Sequence, residues 1–476
     1  MNRETPMYNN RGRETLNLNM FSRRKFLRHA GSAAALLYLT DRSKLMGEPG
    51  QNPAGTQKPG EFSFIPQPYK LTDTDDEFLD NLEHSSFQFF WEQANPDTGI
   101  VRDRCNAVKP SGTDLGSIAA VGFGLTALCI GDKREYVPHY EARTRVANTL
   151  RFLWKKMPSH RGFFYHWANI NTGERLWDSE VSSIDTAILL CGILMCRAHF
   201  AHSEISQLAY DIYNRVDWTW LSEDTSVLPH GWTPESGFLR YRWDRYSELM
   251  MMYLLGLGST THPLQPQAWG AWTRLNFEYD GIRYIGSFAP LFVHQYSQAW
   301  FDFRGKRDQY ADYFLNSAKA TEVHRRFCLD LASEFPNYSD DLWGITASDS
   351  ARGYVIWGGP PATGPIDGTV VPCATGGSLP FLPQATLRVL RSMKSQYGQR
   401  GAWSRYGFVD AFNTLTNWYD TDVVGIDVGI TLVMAENLRT GFVWDTFMKN
   451  AETQRGMERA GFKPYAAAFP SPIKTA

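Results

Sequence analysis

A carboxylate heads an almost wholly apolar run in the stretch YSELMMMYLLGLGSTTHPL, residues 246–264. The run ends in a Gly/Ser/Thr/Pro breaker, which predicts a helix that is apolar all round and therefore buried, with Glu248 at its start. The same pattern, acidic residues at the head of an apolar run, recurs at residues 178–196 and 424–436. Acidic groups at the starts of several buried helices indicate an enzyme that works with carboxylates.

Helical periodicity recurs from about residue 73 onward, whereas strand-like alternation is confined to short pieces at 163–167 and 354–357. We predict helices at 75–93, 117–130, 140–156, 180–200, 203–217, 307–332, 379–393 and 428–437. Small-residue apolar helices alternate with amphipathic ones, and wide loops separate them. Pairs of this kind can close into a double ring with the apolar helices inside, so the sequence predicts an all-α fold in one domain, 65–476.

The composition narrows the class of partner. Charged residues make up 21% and the hydrophobic set 43% of 476 residues, as in soluble globular proteins. The formal net charge of −2 argues against nucleic acid, which needs a basic surface. Aromatic residues reach 14%, with 16 Trp, and this richness indicates either a large aromatic core or platforms on which sugar rings stack.

The N-terminus carries an export pattern. SRRKFLR at 22–28 is a twin-arginine motif, and an apolar run at 33–39 follows it. We expect an export signal at 1–46, with Met20 as a candidate true start, then a flexible Gly/Pro/Gln-rich linker at 47–64. The expected location is periplasmic or secreted, with membrane contact only through a signal that remains uncleaved.

The cysteines do not form a recognisable metal or disulfide pattern. Twin-arginine substrates fold before export in a reducing compartment, so the six Cys need no disulfides, and Cys191 and Cys196 read as core residues. The sequence has no C-x-x-C pair, no local Cys/His cluster, no nucleotide-binding glycine motif and no G-x-S-x-G elbow. We therefore expect no metal and no cofactor.

Glu248 is the first candidate for chemistry. An ordinary carboxylate in the first turn would be stabilised by the helix dipole by ~0.3–1 kcal/mol and would need no further role. Tyr and Trp residues crowd the segment, however, and a half-buried carboxyl among aromatic rings has a raised pKa, as a general acid requires.

Asp178, Glu180 and Asp185 supply partner carboxylates. If the helix already runs at Asp178, this residue and Asp185 lie two turns apart on one face. Asp178 could instead be an N-cap, with Ser179 and Ser182 as competitors. Asp185 stands in an apolar run where an unpaired charge would be costly, so it is either paired or faces a cavity.

Further residues suit a polyhydroxylated ligand. Asp427, like Asp185, stands in an apolar run, and Asp349 ends a polar loop. The remaining binding candidates are His294, Gln295, Tyr296, Arg304, Trp343, Trp243 and Tyr246, and the candidate stacking platforms are Trp232, Trp243, Trp343 and Trp357. The alternative for the segment that contains His294 is a polar network that braces the ring.

Several motifs in order carry a family resemblance: SIDTA at 183–187, GSTTHPL at 258–264, HQYS at 294–297, WGITASD at 343–349, GIDVG at 425–429 and ENLRTG at 436–441. Over residues 75–450 the chain resembles the "putative glucoamylase" domain, which includes glycoside hydrolase family 144, the bacterial β-1,2-glucanases. The resemblance implies an (α/α)6 toroid, no cofactor, and hydrolysis of β-1,2-glucan to sophorose-sized oligosaccharides. It also implies acidic cleft residues near the starts of inner helices, which Asp185 and Glu248 match. Ile430 stands where the family pattern has Pro.

The resulting hypothesis is an inverting glycoside hydrolase. Glu248 would protonate the leaving oxygen, and Asp178, Glu180 or Asp185 would activate a water, directly or through a hydroxyl relay. Inversion predicts carboxyls ~6.5–9.5 Å apart and retention ~5–5.5 Å. An exo-acting enzyme, a catalytically silent glucan-binding protein and a polysaccharide lyase remain alternatives, and the sequence leaves the oligomeric state open.

Overall fold

The computed structural model describes residues 69–109, 111–287, 290–360 and 364–465. The predicted export signal and linker lie outside the described residues. The α-helices are α1 (Asp73–Gln93), α2 (Ile118–Lys133), α3 (His139–Lys155), α4 (Ser183–His199), α5 (Ser203–Asn214), α6 (Trp218–Ser222), α7 (Met250–Gly258), α8 (Tyr296–Trp300), α9 (Tyr313–Asp330), α10 (Pro372–Gly376), α11 (Pro383–Ser392), α12 (Gly425–Arg439), α13 (Phe442–Phe447) and α14 (Ala451–Arg459). Short 3-10 or π turns lie at Pro266–Gly270, Leu291–His294, Leu331–Ser333, Met393–Tyr397 and Gly398–Arg400.

Side-chain caps fix where several of these helices begin. Thr72 forms a capping box with Asp75 at the start of α1. Ser117 accepts a hydrogen bond from the backbone N–H of Ala120 at the start of α2, and Asp312 caps α9 in the same way. These caps satisfy backbone N–H groups that the first helical turn leaves without partners.

The inner ring consists of α2, α4, α7, α8 with the turn before it, α10 and α12. Helix α2 packs against α4 and α12, α4 packs against α7, and α10 packs against α12. Ser297 of α8 accepts a hydrogen bond from the N–H of Met251 in α7, at 3.0 Å. Gln295 donates to the carbonyl of Ala374 in α10, at 2.8 Å. These contacts close the ring.

An outer helix lies behind each inner segment. Helix α1 packs on α12 and α2, α3 on α2, α5 on α4, α14 on α7, α9 on the turn before α8, and α11 on α10. The arrangement is an (α/α)6 toroid, which confirms the predicted all-α fold. Each outer helix is amphipathic because one face covers the ring and the other meets solvent.

The inner helices α2 and α4 approach so closely that glycines are required at the contact. A Cβ on Gly192 would lie 2.2 Å from the carbonyl oxygen of Gly122. Cys129 lies two turns after Gly122, and Cys196 lies one turn after Gly192. Their thiols are 3.6 Å apart, so the two helices run parallel. The N-termini of α2 and α4 therefore lie at one edge of the toroid.

Short strands lie in the loops at that edge and elsewhere. They are β1 (Arg104–Asn106), β2 (Leu115–Ser117), β3 (Ser159–His160), β4 (Phe163–Phe164), β5 (Trp167–Asn169), β6 (Val181–Ser182), β7 (Gly231–Thr233), β8 (Gly237–Phe238), β9 (Leu275–Tyr279), β10 (Ile282–Gly286), β11 (Lys306–Arg307), β12 (Ala347–Ser348), β13 (Val355–Ile356), β14 (Trp403–Ser404), β15 (Gly407–Phe408), β16 (Phe412–Asn413), β17 (Trp418–Tyr419), β18 (Asp422–Val424) and β19 (Lys463–Pro464). All pair antiparallel, and β6, β7 and β8 form a three-stranded sheet.

Two predicted helix starts are wrong by four residues or more. The helix expected at 307–332 begins six residues later, at Tyr313, because Arg307 pairs with Lys463 in a strand. The helix expected at 379–393 begins at Pro383, where proline is favoured in the first turn.

The six cysteines are buried free thiols, so Cys191 and Cys196 are confirmed as core residues. Within the described chain, none of the helices combines the length and continuous apolarity that a membrane crossing requires.

Candidate active site

Three carboxylates lie where inner helices start, at the same edge of the toroid. Asp185 is in the first turn of α4, Glu248 lies two residues before α7, and Asp427 is in the first turn of α12. Asp185 and Glu248 are 8% and 7% exposed. Asp185 and Glu248 are therefore buried at the starts of inner helices, as the sequence predicted, and Asp427 is half-buried.

Asp185 belongs to a buried cluster with His166 and Glu180. His166 donates from Nδ1 to Glu180 Oε1 at 3.1 Å, and its Nε2 lies 3.6 Å from Asp185 Oδ2. Ser182 donates its hydroxyl to Asp185 Oδ2 and caps α4 by accepting from the N–H of Asp185. The imidazole therefore bridges two of the predicted catalytic acids.

The charges in this cluster depend on one another. Burial disfavours the imidazolium, but the carboxylates of Asp185 and Glu180 outweigh burial and raise the pKa of His166 to about 9. Burial also raises the pKa of Asp185, while His166 and the Ser182 hydroxyl oppose that rise. At neutral pH His166 is therefore cationic and offsets one of its two carboxylate partners.

Backbone pairing holds the cluster in register. The N–H of His166 donates to the carbonyl of Glu180 at 2.9 Å, and Trp167 stacks on the imidazole with ring centroids 4.1 Å apart. A Cβ on Gly231 would lie 2.7 Å from Glu180 Cγ, so only glycine lets β7 pass behind this side chain.

Glu248 has the properties of a general acid. Burial raises the pKa of Glu248 to about 7, and the charge of Asp185 adds to the rise. Ser297 fixes the segment by donating to the carbonyl of Glu248 at 2.7 Å. At neutral pH the carboxyl is part protonated and lies within electrostatic reach of Asp185, so it can deliver a proton while another carboxyl remains ionised.

A second acidic group, formed by Asp349, Asp410 and Asp427, lies at the same edge. Tyr296 lies near both acidic groups. Burial raises the pKa of its phenol, and the charges of Asp427 and Glu248 add to the rise. Burial and the nearby carboxyls of Asp427 and Asp349 raise the pKa of Asp410. Asp349, Asp427 and Tyr296, all predicted as ligand-binding residues, are thus brought together.

Asp178 is placed differently from the prediction. Helix α4 begins at Ser183 and not at Asp178, so the premise that Asp178 shares a helix face with Asp185 is wrong. Asp178 is exposed and has a positive φ of 51° in a turn. The N-cap role belongs to Ser182.

Three predicted binding residues brace the ring instead. The Tyr246 hydroxyl lies 3.1 Å from His294 Nδ1, and both side chains are buried. Burial lowers the pKa of His294 to about 3, so it is neutral. Gln295, 1% exposed, donates to Ala374 and Ser378. These contacts favour the bracing network, and the ligand-binding role of the three residues stays a prediction.

Arg304 lies away from the acidic edge. Its guanidinium pairs with Asp302 and stacks on Trp444 at 4.0 Å, close to Gly441 beyond the C-terminal end of α12. These contacts place Arg304 near the C-terminal end of α12, whereas Asp427 lies in its first turn, and the predicted contact of Arg304 with ligand stays a prediction.

Most of the predicted stacking platforms are core residues. Trp343 is 0% exposed, Trp357 is 4% exposed, and Trp243, 2% exposed, lies between His230 and Ser183. This burial favours a core role for the three indoles, and their sugar-stacking role stays a prediction. Trp232 is half-buried and stacks on His160 with ring centroids 4.0 Å apart.

Sequence reasoning missed four residues that the fold brings to this edge: His166, Arg104, Asp410 and Asp420. Arg104 pairs with Asp103, Asp349 and Asp422. The strand-like piece at 163–167 contained the one available signal, a histidine within an aromatic strand. Its pairing with Glu180 depends on a hairpin contact that no local pattern reveals.

Comparison with known proteins agrees with the fold. The family model described as "Putative glucoamylase" matches residues 240–451. A Parabacteroides distasonis protein named exo β-1,2-glucooligosaccharide sophorohydrolase (non-reducing end) is 27% identical over 425 residues, or 81% of this chain. The chain spans 58% of the length of that curated relative.

Solved structures extend the likeness. An endo-β-1,2-glucanase from Chitinophaga pinensis, in complex with sophorotriose and glucose, is 26% identical with a TM-score of 0.74, covering 83% of this chain and 99% of that one. A "putative glucoamylase" from Bacteroides fragilis is 30% identical with a TM-score of 0.74, covering 84% of this chain and 100% of that one. Since that likeness extends over the whole of the Bacteroides fragilis chain, this chain belongs to the family described as putative glucoamylase.

Proposed function

We propose that this protein is a glycoside hydrolase that cleaves β-1,2-linked glucose chains, with Glu248 as the general acid. The observation that carries the proposal is the buried Glu248 carboxyl, whose pKa is raised to about 7 beside Asp185 at the mouth of an (α/α)6 toroid. The linkage is supported by relatives named for β-1,2-glucan and its oligosaccharides.

The reaction needs a second carboxyl to activate water. Asp185 and Glu180 are the candidates, because both are buried at the same edge and share the His166 cation. The His166 cation favours the ionised form of Asp185 while Glu248 holds its proton. The acid and the base therefore differ in protonation state. We propose inversion, with water attacking the sugar from the face opposite Glu248.

The similar proteins include both exo-acting and endo-acting enzymes. The Parabacteroides distasonis relative is named an exo-acting sophorohydrolase, and the Chitinophaga pinensis structure is an endo-glucanase. We propose that this chain uses the acidic edge of Glu248 and Asp185 in either mode, and the products distinguish the two.

We also propose that the protein is exported to the periplasm or beyond. The twin-arginine pattern SRRKFLR at residues 22–28 supports this location. Fractionation of producing cells, with the Arg23→Lys/Arg24→Lys double variant as the control, checks it.

The function is tested by incubating purified protein with linear β-1,2-glucan and resolving the products by size over time. We expect reducing ends to appear, with laminarin as a β-1,3-linked control that stays intact. Early mixtures of short oligosaccharides identify endo cleavage, and disaccharide alone from the outset identifies exo cleavage. Binding of β-1,2-glucan without new reducing ends would overturn the hydrolase proposal in favour of a glucan-binding protein.

A further inference from the structure

The turn that precedes β6 holds a bulky side chain in an unusual backbone conformation. In this turn, residues 176–179, the N–H of Ser179 donates to the carbonyl of Leu176 at 3.2 Å. The two central residues, Trp177 and Asp178, have φ values of 59° and 51°. Positive φ at both central positions is the pattern of a type I′ turn, in which asparagine and glycine are favoured. A tryptophan is strained there, so the turn alone does not account for it.

Neighbouring residues hold this turn in place. The N–H of Leu176 donates to the carbonyl of Trp167 at 3.0 Å, and the N–H of Trp167 donates to the Ser179 hydroxyl at 3.3 Å. Arg175 donates from Nε to the carbonyl of Ser179, and its two terminal nitrogens pair with Glu235 at 2.6 and 2.9 Å. These contacts fix the turn in its strained conformation, as is typical of strain at functional sites.

The indole of Trp177 lies beside the cluster of proposed catalytic acids. Its ring centroid is 5.9 Å from that of Trp167, which in turn stacks on His166. His166 bridges Glu180 and Asp185. The Trp177 ring is therefore two ring contacts away from the carboxylate partners of His166, a separation that neighbouring units of a glucan chain can span.

Trp177 keeps both ring surface and a hydrogen-bond donor available. The side chain is half-buried, and Trp167, tilted by 57°, is its one ring partner within the described chain. Among the residues that the structure describes, none accepts a hydrogen bond from the Trp177 indole N–H, and no Lys or Arg lies over the ring. By contrast, the half-buried indole of Trp154 lies under the guanidinium of Arg215. The Trp177 ring is therefore partly open to a ligand.

We propose that Trp177 is a sugar-binding platform that positions one glucose unit on one side of the scissile bond. The C–H face of a β-linked glucose ring packs on the open part of the indole, and the indole N–H donates to a sugar hydroxyl. This inference rests on the proposed function, because the platform borders the acids assigned to hydrolysis. The ring touches the substrate and not the reacting atoms, so it sets affinity and leaves proton transfer to Glu248 and its partner carboxyl.

Trp177→Asn separates sugar binding from folding. Asparagine is favoured in a type I′ turn, so Tm should stay close to that of the parent protein. Loss of the indole should raise the Kd of a linear β-1,2-linked glucose oligosaccharide by about tenfold, because the apolar contact with the sugar is lost. KM on β-1,2-glucan should rise in parallel, and kcat should change less. Calorimetric titration in the Glu248→Gln background measures Kd without turnover, and thermal melting measures Tm.

Two further variants keep the test decisive if Trp177→Asn melts at a lower temperature. Trp177→Phe and Trp177→Leu both keep apolar bulk beside Trp167, but only Phe presents an aromatic face to the sugar. The Phe variant should therefore bind the oligosaccharide more tightly than the Leu variant. Trp154→Ala is the matched control, since it removes a half-buried indole from the outer helix α3, and it should leave Kd unchanged.

The proposal is overturned if Trp177→Asn binds as tightly as the parent protein, or if the Phe and Leu variants bind equally well. It is also overturned if the Glu248→Gln protein with Trp177 in place does not bind the oligosaccharide. Failure of the proposed function gives a different result. Unchanged Kd in a protein that releases reducing ends removes the platform alone, whereas binding that depends on Trp177 without any release of reducing ends removes hydrolysis alone.

Discussion

Glu248→Gln is expected to lower kcat on β-1,2-glucan by about 10²–10⁴-fold, the range that general acid catalysis contributes. Gln matches the shape of the side chain but has no proton to give to the leaving oxygen. Because Gln is close to Glu in size and Glu248 lies before the first residue of α7, we expect the packing of α7 to stay intact. Initial rates of reducing-end release at saturating glucan measure the effect.

The control is a change of the same kind at an exposed site. Glu278→Gln alters a carboxylate on the β9–β10 hairpin, where it pairs with Arg283, and should leave kcat unchanged. Melting temperatures at pH 8 show whether Glu248→Gln is folded. The folded-state pKa of Glu248 is raised above 4.5, so its ionisation destabilises wild type as pH rises toward 7. The variant should therefore melt at or above the wild-type temperature, and wild-type kcat in it would rule out Glu248 as the acid.

The pH dependence of the wild-type rate provides an independent prediction. Because the acid must be protonated, kcat/KM should fall as pH rises through about 7, where Glu248 loses its proton. His166 keeps its charge through this range, since its pKa is raised to about 9. A rate that stays level from pH 6 to 9 would show that another group limits proton donation.

The ring itself was predictable because helix burial leaves a periodic record in sequence. Apolar, small-residue runs such as 118–131 can only be inner helices, and Gly122 and Gly192 are small because the two backbones meet there. The boundary at 379–393 was not predictable in the same way. Residues 377–382 are mostly apolar and largely buried without being helical, and periodicity alone does not distinguish such a segment from a buried helix.

The site was predictable only where a residue's own segment explains it. Glu248 and Asp185 were identified because a carboxylate at the start of an apolar run is unusual locally. His166 and Asp410 acquire their roles from partners that are 14 or more residues away, so no local pattern marks them. Trp243 and Trp343, both buried, show another limit of sequence: an indole that packs in a core and one that faces a sugar look the same in it.

His166 helps to rank the acids that the sequence left unresolved. It offsets one of the two charges on Glu180 and Asp185, and it is locked by the stack on Trp167. Asp185 also receives the Ser182 hydroxyl and acts electrostatically on Glu248, so it is held at the reacting edge in a defined orientation. Glu180 lies on the far side of the imidazole, against Gly231. Asp185 is therefore the stronger candidate for the base, with Glu180 and His166 as positioning residues.

Asp185→Asn should accordingly lower kcat by about 10²–10⁴-fold, because Asn cannot accept the proton of the attacking water. Asp178→Asn is the matched control, and it should keep wild-type kcat because Asp178 is exposed in a turn outside the cluster. Glu180→Gln removes charge beside His166 but leaves Asp185 in place, so its loss should be smaller than that of Asp185→Asn. Rates and melting temperatures of the three variants measured side by side give the ranking. A greater loss in Glu180→Gln than in Asp185→Asn would transfer the role of the base to Glu180, because the imidazolium of His166 would then be orienting the opposite carboxylate.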